Sequence, residues 1–489
     1  MAYRTEKDVL GELKVPADAY FGVFTQRALK NFQNTKTNPV LPYPAFRQAL
    51  GMVKKAASIV NSKLGVLEAE KSKAIQKAAA EFISGKYNEY FTLEPFQAGA
   101  GTPYNMNANE IIANRANEIM GGRKGRYNKV HPNNDVNMAQ STNDVIPTSM
   151  RISALIMLQD LYSEIDKLSK AFAKKAKEFK GIVKVGRTHY EDAVPITLEQ
   201  EFNAYADQIA RNIDIIKKSA DELMELGIGG TATGTGINTH PKYHKEMCKE
   251  LAKLTKFKLR PTKDIMSLHN NLDCSVAVSS SLKILAIDLF KIANDLSLLN
   301  SGPKAGFAEL ILPEVEPGSS IMPGKINPSI CESVVMISFQ VMGNDLTISN
   351  AAQYSVLQLN TMAPVIIHNL LQSIELLTNG SKMFRELCVD GIKANKDQIE
   401  KHLHGSLATA TALNPYIGYQ VTSELVHEAL KKDISLKEVI LKRKLIDKSD
   451  LGKILSANKM TKPGLVDKKI KENIQKSKRF KDFVKRKKL

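Results

Sequence analysis

The sequence predicts an all-α protein organised around a central bundle of five long helices. Three observations lead to that fold class. Leu158, Leu161, Ile165, Leu168 and Phe172 recur at steps of three and four, the apolar stripe of a long amphipathic helix. Aromatic residues make up only 6% of the chain and Trp is absent, which suits aliphatic helix packing better than a β-sandwich. Long, predominantly apolar segments around 271–300, 329–358 and 362–392 are almost free of the Pro that would break a helix.

At 489 residues the chain exceeds the roughly 250–300 at which a single core stops growing, so more than one domain is expected. The first stretch mixes short helical segments with "FQAGAGTPYNMNANE" and "VHPNNDVNMAQSTNDVIPT". Both are too rich in turn formers to read as ordinary helix interior, and residues 1–141 are assigned to an N-terminal domain. After Pro147 the character changes, and Phe202, Ile209, Ile213, Ile216 and Leu223 carry a second stripe at helical spacing. Residues 142–394 are therefore assigned to the helical bundle, with its polar loops between the helices. Segments shorten and charge rises from about residue 395, so 395–460 reads as a small C-terminal helical domain. Residues 461–489 hold 12 Lys or Arg against 3 Asp or Glu, half of the chain's net charge of +18. They read as a solvated, flexible basic tail, and nucleic-acid binding is not expected of them.

Several classes are excluded. No apolar run approaches the ~18 residues of a membrane span, and the first residues show no secretory apolar region. Cys248, Cys274, Cys331 and Cys388 are far apart and form no CxxC pair, which favours reduced thiols in a cytoplasmic protein over a disulfide framework or zinc site. "GTGIN" and "GAGT" lack the spacing of a nucleotide-phosphate loop. No metal and no cofactor is called for.

The polar loops share a chemistry. "GAGT" offers Thr102; "STND" offers Ser141, Thr142 and Asn143; "GRTH" offers Thr188 and His189; "GSSIMPGKINPS" offers Ser319, Ser320, Lys325 and Asn327. Hydroxyls, carboxamides, one imidazole and one ammonium, with scarcely a carboxylate among them, suit a small anion held by charge-assisted hydrogen bonds. Each motif taken alone also fits a turn or a helix cap. Asp144 and Glu191, the nearest acids, read as partners of the binding residues or as caps.

"GSSIMPGKINP", "GAGTPYNMNANE", "HPNNDVNMAQSTND" and "VGRTHYEDAVPITLEQE" together resemble the fumarase/aspartase superfamily, in that family's order and over nearly the whole chain except the basic tail. The resemblance implies an all-helical homotetramer whose protomers' five-helix bundles join into a 20-helix bundle, with each active site shared by three subunits. It implies anti elimination from a succinyl-type dicarboxylate to give fumarate through an aci-carboxylate. Ser319 matches the general base. Thr102, Ser141, Thr142 and Thr188 match carboxylate binders, Asn143 and His189 contacts to the second carboxylate and leaving group, and Lys325 and Asn327 anchors of the other carboxylate. Ser319, His189 and Lys325 are thus the expected catalytic residues.

Within the family the leaving group is ammonia or water. Ala100, Thr142 and "GIKANKD" are similar to the ammonia-eliminating members, whereas "GGTATGTGINTHP" is closer to the hydratases. The expectation is elimination of ammonia from L-aspartate, with a class II fumarase as the alternative. Ser297, Lys304 and Ala308 depart from the family pattern; Lys cannot reproduce the planar fork of Arg.

Overall fold

The computed structural model describes residues 2–35 and 42–488. In chain order the elements begin with strands β1 (Tyr3–Asp8) and β2 (Gly11–Pro16) and helices α1 (Val23–Asn31), α2 (Pro44–Lys63), α3 (Ala69–Ile83), α4 (Thr102–Ile119) and α5 (Thr142–Glu178). Strands β3 (Val183–Thr188) and β4 (Glu191–Thr197) follow, then α6 (Leu198–Ala220), α7 (Tyr243–Thr255), α8 (Ile265–Asn270) and α9 (Asp273–Asn300). Helices α10 (Ser329–Ala352), α11 (Ala363–Leu387) and α12 (Lys396–Gly405) lead into a series of shorter helices. The protein is all-α, and its sheets are two-stranded.

The chain divides into two compact units. The first comprises Met1–Ile165, Arg211–Asp288 and Met336–Gly380, the second Asp166–Ala210, Leu289–Val335 and Ser381–Leu489. The five long helices α5, α6, α9, α10 and α11 run from 23 to 37 residues, and each contributes a stretch to both units. All five residues of the α5 stripe are completely buried. In α6, Phe202, Ile209 and Ile216 are equally buried, while Ile213 is only partly so.

In the first unit α2 packs on α3 at close range, and Gly51 is what permits it. A Cβ there would lie 2.6 Å from the Ile83 side chain and 2.9 Å from Phe82. The Asn-rich stretch expected to avoid helix interior is the interior of α4. Its Asn side chains are buried, and several reach carbonyls of neighbouring segments, although Asn117 also donates to the Ala113 carbonyl of its own helix at 2.8 Å. Asn107 donates to the Tyr90 carbonyl (3.0 Å), Asn114 to Tyr20 (2.7 Å) and Asn117 to Val130 (2.6 Å).

In the second unit the stretch expected as a loop around "GRTH" is the antiparallel hairpin β3–β4, with a bulge between Val185 and Arg187. A Cβ on the intervening Gly186 would lie 2.6 Å from the Val194 carbonyl oxygen. The basic stretch 461–489, expected to be solvated and flexible, carries helices Lys468–Lys476 and Lys478–Lys487; Leu489 lies outside the described residues. Asp467 and Ser477 cap them by accepting from the backbone N–H of Ile470 and Phe480. Ile470, Ile474, Phe480 and Phe483 enter an apolar cluster with Leu413, Leu425 and Ile440. The Lys and Arg excess conceals this spacing because it occupies the opposite faces of both helices.

Candidate active site

The expected site residues fall into two groups, one in each unit. Thr102, Ser141, Thr142 and Asn143 belong to the first; Thr188, His189, Ser319, Lys325 and Asn327 belong to the second.

In the first unit Thr102, Ser141 and Thr142 line one cavity of about 810 Å³. Thr102 opens α4 behind two left-handed residues, Ala100 (φ 60°) and Gly101 (φ 82°). The Ala100 N–H donates to the Thr361 carbonyl at 2.9 Å, and a Cβ on Gly99 would lie 2.9 Å from that same oxygen. Ala100 itself is buried. Thr142 opens α5, and the two residues flanking it are held by their own contacts. The Ser141 hydroxyl accepts from the Asn143 N–H (3.3 Å), and the Asn143 carboxamide donates to the Ala232 carbonyl (2.7 Å).

Asp144 fastens this turn to the Gly-rich loop after α6. One of its oxygens accepts from the Ser141 N–H (2.9 Å), the other from Gly229 (2.9 Å) and Thr231 (3.0 Å). Burial raises its carboxyl to about 6 against the pull of those N–H groups and of Lys54. Lys54 of α2 is wholly buried. Its ammonium donates to the carboxamide oxygens of Asn105 (2.6 Å), Asn137 (2.9 Å) and Gln140 (2.9 Å). Desolvation lowers it to about 7, while Asp144 acts in the other direction. Asn105 in turn donates to the Thr142 hydroxyl at 3.1 Å.

In the second unit Thr188 ends β3, and His189 (φ 56°) and Tyr190 (φ 65°) form the two-residue turn to Glu191. Two left-handed residues are the geometry of a type I′ hairpin, here without glycine, and the turn presents both side chains to solvent. Behind it, Glu309 is buried among three cationic or basic groups. Arg187 reaches it at 2.7 Å, Lys184 at 3.2 Å and His402 Nδ1 at 2.9 Å. Burial pushes the Glu309 carboxyl up, but Arg187, Lys184 and His402 together hold it below the usual range.

The loop before α10 is closed at its neck. Gly318 N–H donates to the Lys325 carbonyl, and Asn327 donates its carboxamide N–H to the Gly318 carbonyl, both at 2.8 Å. A Cβ on Gly318 would sit 2.5 Å from the Lys325 oxygen, so only glycine fits there. Within the loop the Ser319 hydroxyl oxygen accepts two backbone N–H groups, Ile321 at 3.2 Å and Met322 at 2.9 Å. Lys325 is exposed on the same loop.

A family model described as lyase matches residues 11–343, and another described as fumarase C C-terminus matches residues 410–462. An aspartate ammonia-lyase from a Bacillus species is 45% identical over 95% of this chain and 99% of its own length. The chain belongs to the fumarase/aspartase superfamily of lyases. A class II fumarate hydratase from Campylobacter jejuni is also 45% identical, over 95% of this chain and all of its own. A cobalt-bound crystal structure of a fumarate lyase:delta crystallin protein from Brucella melitensis superposes with a TM-score of 0.91 at 42% identity, covering 94% of this chain and all of that one.

Within this lyase, sequence reading missed the residues that act from behind the motifs. Lys54 lies on an ordinary amphipathic helix where a lysine reads as solvated. Glu309 follows Ala308, a position marked only for its departure from the family pattern. Neither has a local signal, because each becomes chargeable and buried only through partners distant in sequence. Cys331 and Cys388 are likewise 57 positions apart, yet their sulfurs are 3.9 Å apart in the second unit. Of the three departures, Ser297 returns its hydroxyl to the Ala293 carbonyl of α9 at 2.8 Å.

Proposed function

We propose that this lyase is an aspartate ammonia-lyase, eliminating ammonia from L-aspartate by a reversible anti elimination to fumarate. The observation that carries the mechanism is the Ser319 hydroxyl oxygen under two converging backbone N–H groups. A serine hydroxyl is a very weak acid, and such donors stabilise its alkoxide as they would any oxyanion. Lys325 adds positive charge from the same loop. In this reading the Ser319 alkoxide takes a proton from the carbon next to one carboxylate. The electron pair spreads into that carboxylate as an aci-carboxylate, anchored by Lys325 and Asn327. Collapse of the pair forms the double bond of fumarate and expels ammonia from the neighbouring carbon. Thr102, Ser141, Thr142 and Thr188 bind carboxylate oxygens, and Asn143 and His189 contact the second carboxylate and the leaving group.

The site is proposed to be completed in a homotetramer, with loops from three subunits at each centre. That reading is supported by the apolar side chains exposed on α10, where Met336, Phe339 and Leu346 are each more than half accessible. Ammonia rather than water as leaving group rests on the residues at 100 and 142. Ala100 is buried, so the difference is expressed at the cavity through Thr142. Incubating the pure protein separately with L-aspartate and L-malate while following fumarate tests the choice. Fumarate should accumulate from aspartate, and a comparable rate from malate would replace this reading with a class II fumarase.

A further inference from the structure

Lys54 is a buried cation that the mechanism above does not use. Its surroundings nevertheless impose a direction on every hydrogen bond between it and the substrate cavity. An ammonium has three N–H donors and no acceptor. All three are directed at carboxamide oxygens, those of Asn105, Asn137 and Gln140. Each carboxamide must therefore turn its oxygen to Lys54 and its NH2 group away. Asn137 donates onward to the Gln140 carbonyl (3.2 Å), and Gln140 to the carbonyls of Val136 (3.0 Å) and Met138 (3.1 Å). Asn105 donates to the Thr142 oxygen. With that oxygen serving as acceptor, the one Thr142 proton is left to point elsewhere. It meets no acceptor among the described residues, and Thr142 lines the cavity.

We infer that Lys54 is a positioning residue that sets the polarity of the Lys54–Asn105–Thr142 chain, so that the Thr142 hydroxyl donates into the cavity toward a substrate carboxylate. Without the ammonium, the Asn105 carboxamide keeps only the 3.3 Å donation of its NH2 group to the Asn137 oxygen to hold it. Rotated by half a turn, it offers its oxygen to Thr142 and captures the proton intended for the substrate. The cation is needed for its donors more than for its charge: charge alone would attract a dianion whether or not Thr142 were present. The inference rests on the dicarboxylate-lyase reading of this cavity.

The test is a double-mutant cycle on the full-length protein, with succinate as a non-reacting dicarboxylate probe and binding measured by calorimetry. Lys54→Met should weaken succinate about tenfold more when Thr142 is present than in combination with Thr142→Val, since a hydrogen bond to a charged group is at stake. Any loss of long-range attraction appears equally in both backgrounds and cancels. Equal factors in the two backgrounds overturn the inference. Should Lys54→Met fail to fold, Asn105→Asp supplies the same cycle. It keeps a partner for the ammonium, removes the NH2 group and accepts from Thr142, and the same excess loss is expected. Conversely, Asn105→Leu added to Lys54→Met should recover the Thr142-dependent part of the affinity, because no oxygen remains to capture the proton. A merely structural Lys54 gives no such recovery, and its absence counts against the inference. A wild-type protein that binds no succinate overturns the dicarboxylate reading itself and this inference with it, whereas additive losses on an intact binding signal overturn only the role of Lys54.

Discussion

At the scale of single residues, Ser319 and Gly318 make separable predictions. Ser319→Ala removes the proposed base without touching a buried contact, so fumarate formation should fall by at least about 100-fold while the thermal midpoint stays put. Gly318→Ala forces a Cβ against the Lys325 carbonyl oxygen and should open the neck of the loop, lowering activity although no reacting group is lost. Steady-state kinetics beside a melting curve distinguishes the two. Glu81 offers a pH prediction. Burial pushes its carboxyl up, but Arg115, Lys86 and Tyr87 outweigh this and hold it down to about 2, against an ordinary 4.5. A group depressed in the folded state gives stability that is present above its unfolded value and lost as pH falls toward its folded value. The wild type should therefore lose stability between about pH 4.5 and 2. Denaturant midpoints of Glu81→Gln across that window should show a shallower slope; an identical slope would assign the acid sensitivity elsewhere.

At the scale of elements, what was legible in the sequence was whatever has a period. The stripe of α5 and most of that of α6 read directly as buried faces, because an apolar residue every third or fourth position has few other uses. The motif residues were legible too, though as separate loops; sequence cannot say that Thr102, Ser141 and Thr142 share one cavity. Helix α4 was illegible for a physical reason. Asn disfavours helices by hydrogen-bonding locally, and that preference reverses only when distant carbonyls, such as those of Tyr20, Tyr90 and Val130, take the carboxamides. The β3–β4 hairpin hid its turn by using His189 and Tyr190 where glycine is the usual signal. Basic charge masked the two C-terminal helices, and their packing is testable. Phe483 is 4% exposed inside the C-terminal cluster, so Phe483→Ala should cost about 3 kcal/mol or more, read as a lower denaturant midpoint for that region. A change within experimental error would return the segment to the status of a solvated tail.

At the scale of the whole molecule, the proposed sharing of sites among subunits predicts complementation. Mixed tetramers refolded from Ser319→Ala and Thr142→Val protomers should recover a fraction of wild-type activity that neither variant shows alone. A mixture no more active than its parents would place each complete site within one chain. The division of the chain into units also has a bearing on the order of its synthesis. Each unit is assembled from three separate stretches, and the first is not complete until Gly380. A nascent chain halted between Asn327 and Gly380 has made the proposed catalytic serine, its lysine and every expected carboxylate binder, yet lacks a closing stretch of either unit. The C-terminal cluster, by contrast, draws its core from residues 413–483 alone and can condense from neighbours in sequence. Between Asn327 and Gly380 the growing chain is chemically equipped but unfinished, and its exposure to proteases should end late and abruptly.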